Sequence, residues 1–310
     1  MLESEFFNVL FRTPLMPASG TYGYGEEFAR LYDLSLLGAL VSKATTDAPR
    51  LGNTVPRVAE TPLGMLNAIG LENPGVAWVI QHELPRMATY GVPIIVNVAG
   101  SDEEEYVKVA HRLNDSPHVA AIELNISCPN VKEGGMLFGN DVHMAEALVR
   151  RVKNVTRYPL IVKLSPNVTD IVTIARAVEA AGADALTMIN TVVGMRIDVH
   201  RRKPILSNGT GGLSGPAIKP IAVRQIYEVY PHVRIPIIGV GGIMNVDDIL
   251  EFLLAGASLV QIGTANFIDP YILPRLTEAL PQRLKQLGIK HYRELIGGAH
   301  TGHSSHLVFK

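Results

Sequence analysis

Cysteine is almost absent from this chain: one residue, Cys128, in 310. An internal disulfide is thereby excluded, which fits a reducing compartment such as the cytoplasm. An excess of charge of either sign is also lacking, with 28 Lys and Arg against 29 Asp and Glu and a formal net charge of −1. That balance suits neither a nucleic acid nor an anionic membrane surface as partner. No apolar run approaches the roughly 18 residues needed to span a bilayer. The opening MLESEFFNVL is acidic where a secretory signal would be basic. Low-complexity segments are missing too, and a chain of this length is readily a single α/β barrel domain, so one domain over residues 1–310 is expected.

What is present is a rhythm. Short apolar runs end in polar residues or glycine, and segments with helical spacing separate most of them. The runs are Leu15 to Ala18, Ala39 to Ser42, Ile94 to Val98, Ala120 to Asn125, Leu160 to Leu164, Ala185 to Ile189, Pro236 to Val240 and Leu259 to Ile262. Helices are predicted over Glu103 to Leu113, Val142 to Val155, Asp170 to Ala181, Ala217 to Tyr230, Val246 to Ala255 and Tyr271 to Leu287. Asp102, Asp170 and Asn245 are placed to cap three of them, and Gly182, Gly256 and Gly288 to end three. Runs apolar on both faces and alternating with helices predict an α/β fold of the (β/α)8 TIM-barrel type. Three connections are long: residues 44–73, 126–140 and 190–215. All follow a strand, so they are loop insertions at the C-terminal face, where barrels build their sites. The first has the turn residues of small hairpins that cover a barrel mouth.

The residues at the strand ends are Ser19, Lys43, Asn97, Asn125, Lys163, Asn190, Gly241-Gly242 and Gly263-Thr264. A single asparagine there reads as a turn residue. Three of them, with two lysines and two glycine turns, describe a site for a planar, multiply hydrogen-bonding ligand with an anionic group. The turns GVGGI and QIGTANF follow strands seven and eight, where barrels bind phosphate through backbone N–H groups. Glycine also serves plain tight packing, so the position rather than the pattern carries this reading. Lys163 in IVKLSP points into the mouth, and a lysine is rarely buried without a partner or a task. Beside a flavin it would stabilise the negative charge of reduction. Lys43 is placed to pair with a carboxylate of ligand or protein.

Cys128 is either packing or chemistry, since a free thiol often behaves as a small buried hydrophobe. It stands three residues beyond Asn125, on a post-strand loop in which Gly134-Gly135 would act as a hinge. With an ordinary pKa of about 8.5, lowered by nearby cations, a thiol there can serve as general base for a moderately acidic C–H. A nucleophilic role would call for a neighbouring base, and no histidine ends a strand. His291, His300, His303 and His306 follow no strand-to-loop logic, and they read as an exposed or partner-facing tail rather than a metal site. Trp78 reads as a core or interface residue.

Taken in order, VSKATT, TPLGMLNAIGLENPG, NVAGS, ELNISCPNVKEGGMLFG, IVKLSPN, INT, GGLSGPAIKP, IIGVGGI and QIGTA resemble the soluble class 1 dihydroorotate dehydrogenases, most closely the class 1B catalytic subunits, over essentially the whole chain. The resemblance implies an FMN-dependent oxidation of (S)-dihydroorotate to orotate in pyrimidine biosynthesis. Cys128 would take a proton from C5 while hydride passes from C6 to the flavin. It implies FMN contacts at Ser19, Lys43, Ala44, Asn97, Asn125, Lys163, Ile189, Gly215, Gly241, Gly242, Gly263 and Thr264. Orotate contacts are implied at Lys43, Asn67, Ala68, Ile69, Gly70, Leu71, Asn125, Asn190 and Thr191. Asn67 and Gly215 rest on the resemblance alone, because their own surroundings read as a turn and as a flexible glycine linker. Class 1B subunits work with a second chain that carries FAD and a [2Fe–2S] cluster and delivers electrons to NAD+, in a heterotetramer around a homodimeric core. One cysteine cannot supply the four ligands of such a cluster, so these groups belong on the partner. The alternatives are a class 1A-like homodimer using fumarate, an FMN barrel acting on dihydrouracil, and a non-redox phosphate-binding isomerase or lyase.

Overall fold

Eight parallel strands form the barrel in the computed structural model, which describes residues 1–127 and 135–300, with the backbone alone for 135–137. The strands are β1 (Leu15–Pro17), β2 (Leu40–Val41), β3 (Ile94–Val98), β4 (Ala121–Asn125), β5 (Leu160–Lys163), β6 (Ala185–Met188), β7 (Ile237–Val240) and β8 (Ala257–Ile262). Their order is β1-β8-β7-β6-β5-β4-β3-β2. The seam between β1 and β2 is joined where Gly38 N–H donates to the Leu15 carbonyl at 2.8 Å. A side chain at Gly38 would bring its Cβ within 2.1 Å of the Thr13 carbonyl oxygen, so the close approach requires glycine.

Six longer helices surround the barrel: α1 (Glu103–Leu113), α2 (Val142–Val155), α3 (Ile171–Ala180), α4 (Lys219–Val229), α5 (Val246–Ala255) and α6 (Ile272–Gln286). Their starts follow local chemistry. Asp102 accepts from Glu105 N–H at 2.8 Å and Asp170 from Thr173 N–H at 3.1 Å. Asn245 and Asp248 cap each other's backbone at 3.0 and 3.1 Å, a reciprocal capping box. Gly182, Gly256 and Gly288 all take positive φ at the helix ends. Between β1 and β2 there is only the four-residue helix Glu26–Ala29 and a single 3₁₀ turn, so the strand-helix alternation is incomplete there. Among the described residues no helix is long and apolar enough to cross a membrane.

The floor of the barrel is apolar. Met16, Val41, Ile95, Ala121, Ile161, Ala185, Ile238 and Leu259 pack together, and Phe6 and Phe11 of an N-terminal hairpin close the bottom. Burying each large apolar side chain of this floor stabilises the fold by about 1.5–3 kcal/mol. The insertions build the roof. Strands Val58–Thr61 and Gly64–Asn67 pair as a hairpin, and Gly64–Asn67 pairs with Gly211–Ser214, which pairs with Val192–Gly194. Gly211–Ser214 is therefore an inner strand of a four-stranded antiparallel sheet, not the flexible linker its glycines suggest. Its partners lie in a distant insertion.

The insertion after β2 is tied to α1. Asp47 accepts from Lys108 Nζ at 2.6 Å and Arg112 at 2.9 Å, and Arg50 meets Glu105 at 2.7 Å. The Lys108 ammonium, helped by Arg112 and opposed by partial burial, holds the Asp47 carboxyl below the usual range. A lowered folded pKa stabilises above the unfolded value, near 3.9, and that stabilisation is lost as pH falls through the folded pKa. Asp47→Asn is expected to cost on the order of 0.5–1 kcal/mol at neutral pH. Urea denaturation should show the difference from wild type constant above about pH 5 and shrinking below about pH 4. A difference independent of pH would contradict this account.

The structure narrows two local expectations. Trp78 is half exposed, with its ring 4.0 Å from that of His82, which rules out the core reading and leaves the interface one. His291 and His300 are not an exposed tail: His291 Nε2 lies 2.8 Å from the Glu3 carbonyl oxygen, and His300 Nε2 lies 3.0 Å from that of Ala255 while its ring stacks on Tyr227. Both histidines are half-buried. His303 and His306 lie outside the described residues.

Candidate active site

Successive inward-facing residues of a strand are two apart, and in this barrel they change from apolar to polar on the way up. Above Ala121 on β4 comes Glu123, then Asn125; above Ile161 on β5 comes Lys163; above Ala185 on β6 comes Thr187. Glu123 is completely buried. It accepts hydrogen bonds from Asn97 Nδ2 of β3 at 2.7 Å, Thr187 Oγ1 of β6 at 2.8 Å and Gln261 Nε2 of β8 at 2.7 Å. Lys163 Nζ stands 3.8 Å from its Oε1. An isolated buried carboxylate would be very costly, and three donors with one cation offset that cost.

Lys163 links this polar layer to a cavity of about 240 Å³ above it. Its side chain is 7% exposed. Its ammonium has the one ion pair and no hydrogen bond to any described residue.

Ser19, Lys43, Ala44, Asn125, Lys163, Ile189, Asn190, Thr191, Gly241, Gly242, Gly263 and Thr264 all line the cavity. So do Asn67, Ile69, Gly70, Leu71 and Gly215, brought over the mouth by the roof sheet and its flanking turns. Asn97 and Ala68 are fully buried and do not line it. Asn97 is not the last residue of β3, which continues through Val98; it is level with Glu123, one layer below. Ala68 packs under the roof with Ala59, Leu66 and Leu206. Cys128 and Gly134 lie outside the described residues, and Gly135 opens the helix Gly135–Asn140.

The foot of the Cys128 loop is well tied. Tyr106 Oη donates to the Asn125 carbonyl at 2.7 Å, and Asn190 Nδ2 donates to Ser127 Oγ at 2.8 Å and Asn125 Oδ1 at 3.3 Å. Asn190 Oδ1 in turn accepts from Thr191 N–H at 2.8 Å. These bonds lock the ends of β4 and β6 together. Across the mouth, Lys43 Nζ lies 3.8 Å from Glu72, which also pairs with Arg57. Lys43 thus has a protein carboxylate beside it.

At the far end the backbone itself forms the wall. Gly215, Gly241 and Gly242 have φ of +99°, +135° and +82°. A Cβ at Gly242 would lie 2.8 Å from the Gly215 carbonyl oxygen, and one at Gly215 would lie 2.7 Å from Gly64 Cα. Thr264 Oγ1 donates to Ser214 Oγ at 2.8 Å on the same wall. Main chain without side chains can approach the oxygens of an anion closely.

Reasoning from strand ends missed Glu123, Thr187 and Gln261, which lie below the mouth, and Glu72, Met65 and Ser214, which come from the insertions. Glu123 had a signal: a carboxylate in the middle of AAIELNI breaks an otherwise apolar run.

A (β/α)8 barrel with a polar core layer and a lysine- and asparagine-lined cavity under a roof sheet is the class of protein defined by this fold and site. Within that class, the family model described as dihydroorotate dehydrogenase matches residues 1–284, and the chain belongs to that family. Among similar proteins are three named "Dihydroorotate dehydrogenase B (NAD(+)), catalytic subunit". That of Anoxybacillus flavithermus is 61% identical, covering 96% of this chain and 95% of the relative. That of Geobacillus kaustophilus is 59% identical, covering 97% and 98%. The protein of Listeria monocytogenes serotype 4a is 58% identical, covering 95% and 97%.

Proposed function

We propose that this chain oxidises (S)-dihydroorotate to orotate for pyrimidine biosynthesis in the cytoplasm, with FMN in the cavity. Electrons then pass to NAD+ through a separate subunit that carries FAD and a [2Fe–2S] cluster, around a homodimer of this chain. The observation that carries the reading is Lys163: an almost fully buried side chain whose ammonium has no hydrogen bond to any described residue, on the wall of a cavity whose other end is glycine backbone. A flavin carbonyl edge would satisfy the first and a ribityl phosphate the second, so the residues fit FMN. The names of the relatives support the substrate, the acceptor NAD+ and the existence of a second subunit.

Lys163, Asn125, Ser19, Lys43, Ala44 and Ile189 would hold the isoalloxazine, and Asn97 would support Lys163 from the layer below through Glu123. Gly215, Gly241, Gly242, Gly263 and Thr264 would hold the phosphate. When bound, FMN supplies the acceptor for the hydride that leaves C6 of the substrate. Lys43, Asn67, Ile69, Gly70, Leu71, Asn125, Asn190 and Thr191 would bind and orient the substrate, with Ala68 packed behind the turn. The Cys128 thiolate takes the C5 proton, the C5–H electron pair becomes the new C5=C6 bond, and the C6–H pair leaves with the hydride. Lys163 would steady the negative charge that reduction of bound FMN brings.

The test is anaerobic. The purified chain should be yellow and should bleach with dihydroorotate but not with dihydrouracil. Co-purified with its partner, it should reduce NAD+ and not fumarate. Colourless protein, or bleaching by dihydrouracil alone, would overturn the proposal.

A further inference from the structure

Glu123 is the one fully buried carboxylate among the described residues, and no step so far uses it. It touches neither the cavity nor the solvent. Its Oε2 takes hydrogen bonds from Thr187 and Gln261, and its Oε1 takes one from Asn97 and faces Lys163 at 3.8 Å. Four strands other than its own thus converge on one carboxylate directly below the lysine that reaches the cavity. A carboxylate held this firmly is a fixed negative charge, and in a buried setting its field on a nearby cation is little screened.

The geometry points to Glu123 as a positioning residue that acts through Lys163: it fixes where the ammonium sits and offsets part of its charge, and so sets the reduction potential of the flavin above. This rests on the reading of the cavity as an FMN site. Two-electron reduction by hydride leaves negative charge on the isoalloxazine, and Lys163 stabilises that charge. Glu123 opposes it, so the resting potential is held lower than an uncompensated lysine would make it. Its three neutral donors keep the carboxylate in place without adding charge of their own. Asn97, expected among the direct cofactor contacts, belongs to this support.

Glu123→Gln removes the charge and keeps the shape. Asn97 Oδ1 and Gln261 Oε1 are buried and have no hydrogen-bond partner among the described residues. Either amide can therefore turn over to accept from a glutamine at this position, and the variant should fold. The experiment is a redox titration of FMN bound to the full chain, with reference dyes. At a fixed ambient potential the ratio of reduced to oxidised flavin should rise at least tenfold in Glu123→Gln, about 30 mV for a two-electron couple. Glu123→Asp keeps the charge and withdraws it by one methylene, and should give a smaller rise in the same direction. It decides the matter should the glutamine variant not fold.

The cycle with Lys163→Gln tests the route. In that background the buried carboxylate has no cation to keep it ionised and is neutral already, so Glu123→Gln should change the ratio less than threefold. A ratio within twofold of wild type in both single variants, or an undiminished effect without Lys163, would overturn the inference. A wild-type chain that binds no flavin would instead overturn the proposed function. The two failures are therefore distinguishable.

Discussion

Cys128→Ala is expected to keep FMN bound while slowing its reduction by dihydroorotate about 10²–10⁴-fold, the range general base catalysis supplies. The C5 proton lies α to a carbonyl, acidic enough for a thiolate yet not for water on the same time scale. Alanine removes the base and leaves the proposed contacts to flavin and pyrimidine untouched, so the loss should fall on the chemical step and not on substrate binding. Cys128→Ser should retain part of the rate but only at higher pH, since an alcohol ionises far less readily than a thiol. Anaerobic stopped-flow absorbance across pH separates these outcomes. A wild-type rate in the alanine variant at every pH would end the base assignment. Just before Cys128 in the chain, Asn125 and Ser127 are tied to Tyr106 and Asn190.

Lys163→Met should have the next largest effect. Losing one preorganised donor at developing negative charge costs about 10²–10³ in rate, and hydride acceptance should slow by that factor. A second consequence follows from the layer below. Without the ammonium, Glu123 is a buried carboxylate with no cation, a loss worth about 3–5 kcal/mol. Urea denaturation should record it, and Glu123→Gln in the same chain should restore most of the stability but none of the rate. Full activity in Lys163→Met, or no recovery in the double variant, would count against this account.

Much of the frame was legible because its causes are local. Helix α5 starts at Asn245 since that side chain and Asp248 can cap each other, and both lie within one turn. The eight strands read as apolar runs because both of their faces are covered. Lys43, Asn125 and Lys163 could be placed at the mouth from chain position alone, as a barrel puts the end of every strand on one face. Gly211–Ser214 could not be read in this way. A strand of small residues has no period, and the register that orders it is set by Met65, Leu66 and Asn67 in another insertion.

Glu123 marks the division most clearly. The sequence by itself determined that a carboxylate sits inside the fourth strand, on the face shared with Ala121 and Asn125, because the pleat repeats every two residues. It determined likewise the strand-end lysines, the glycine turns and the single thiol. Only the tertiary structure decided which groups meet that carboxylate. Asn97, Lys163, Thr187 and Gln261 come from four separate strands. Their convergence depends on barrel closure and stagger, which no local pattern encodes.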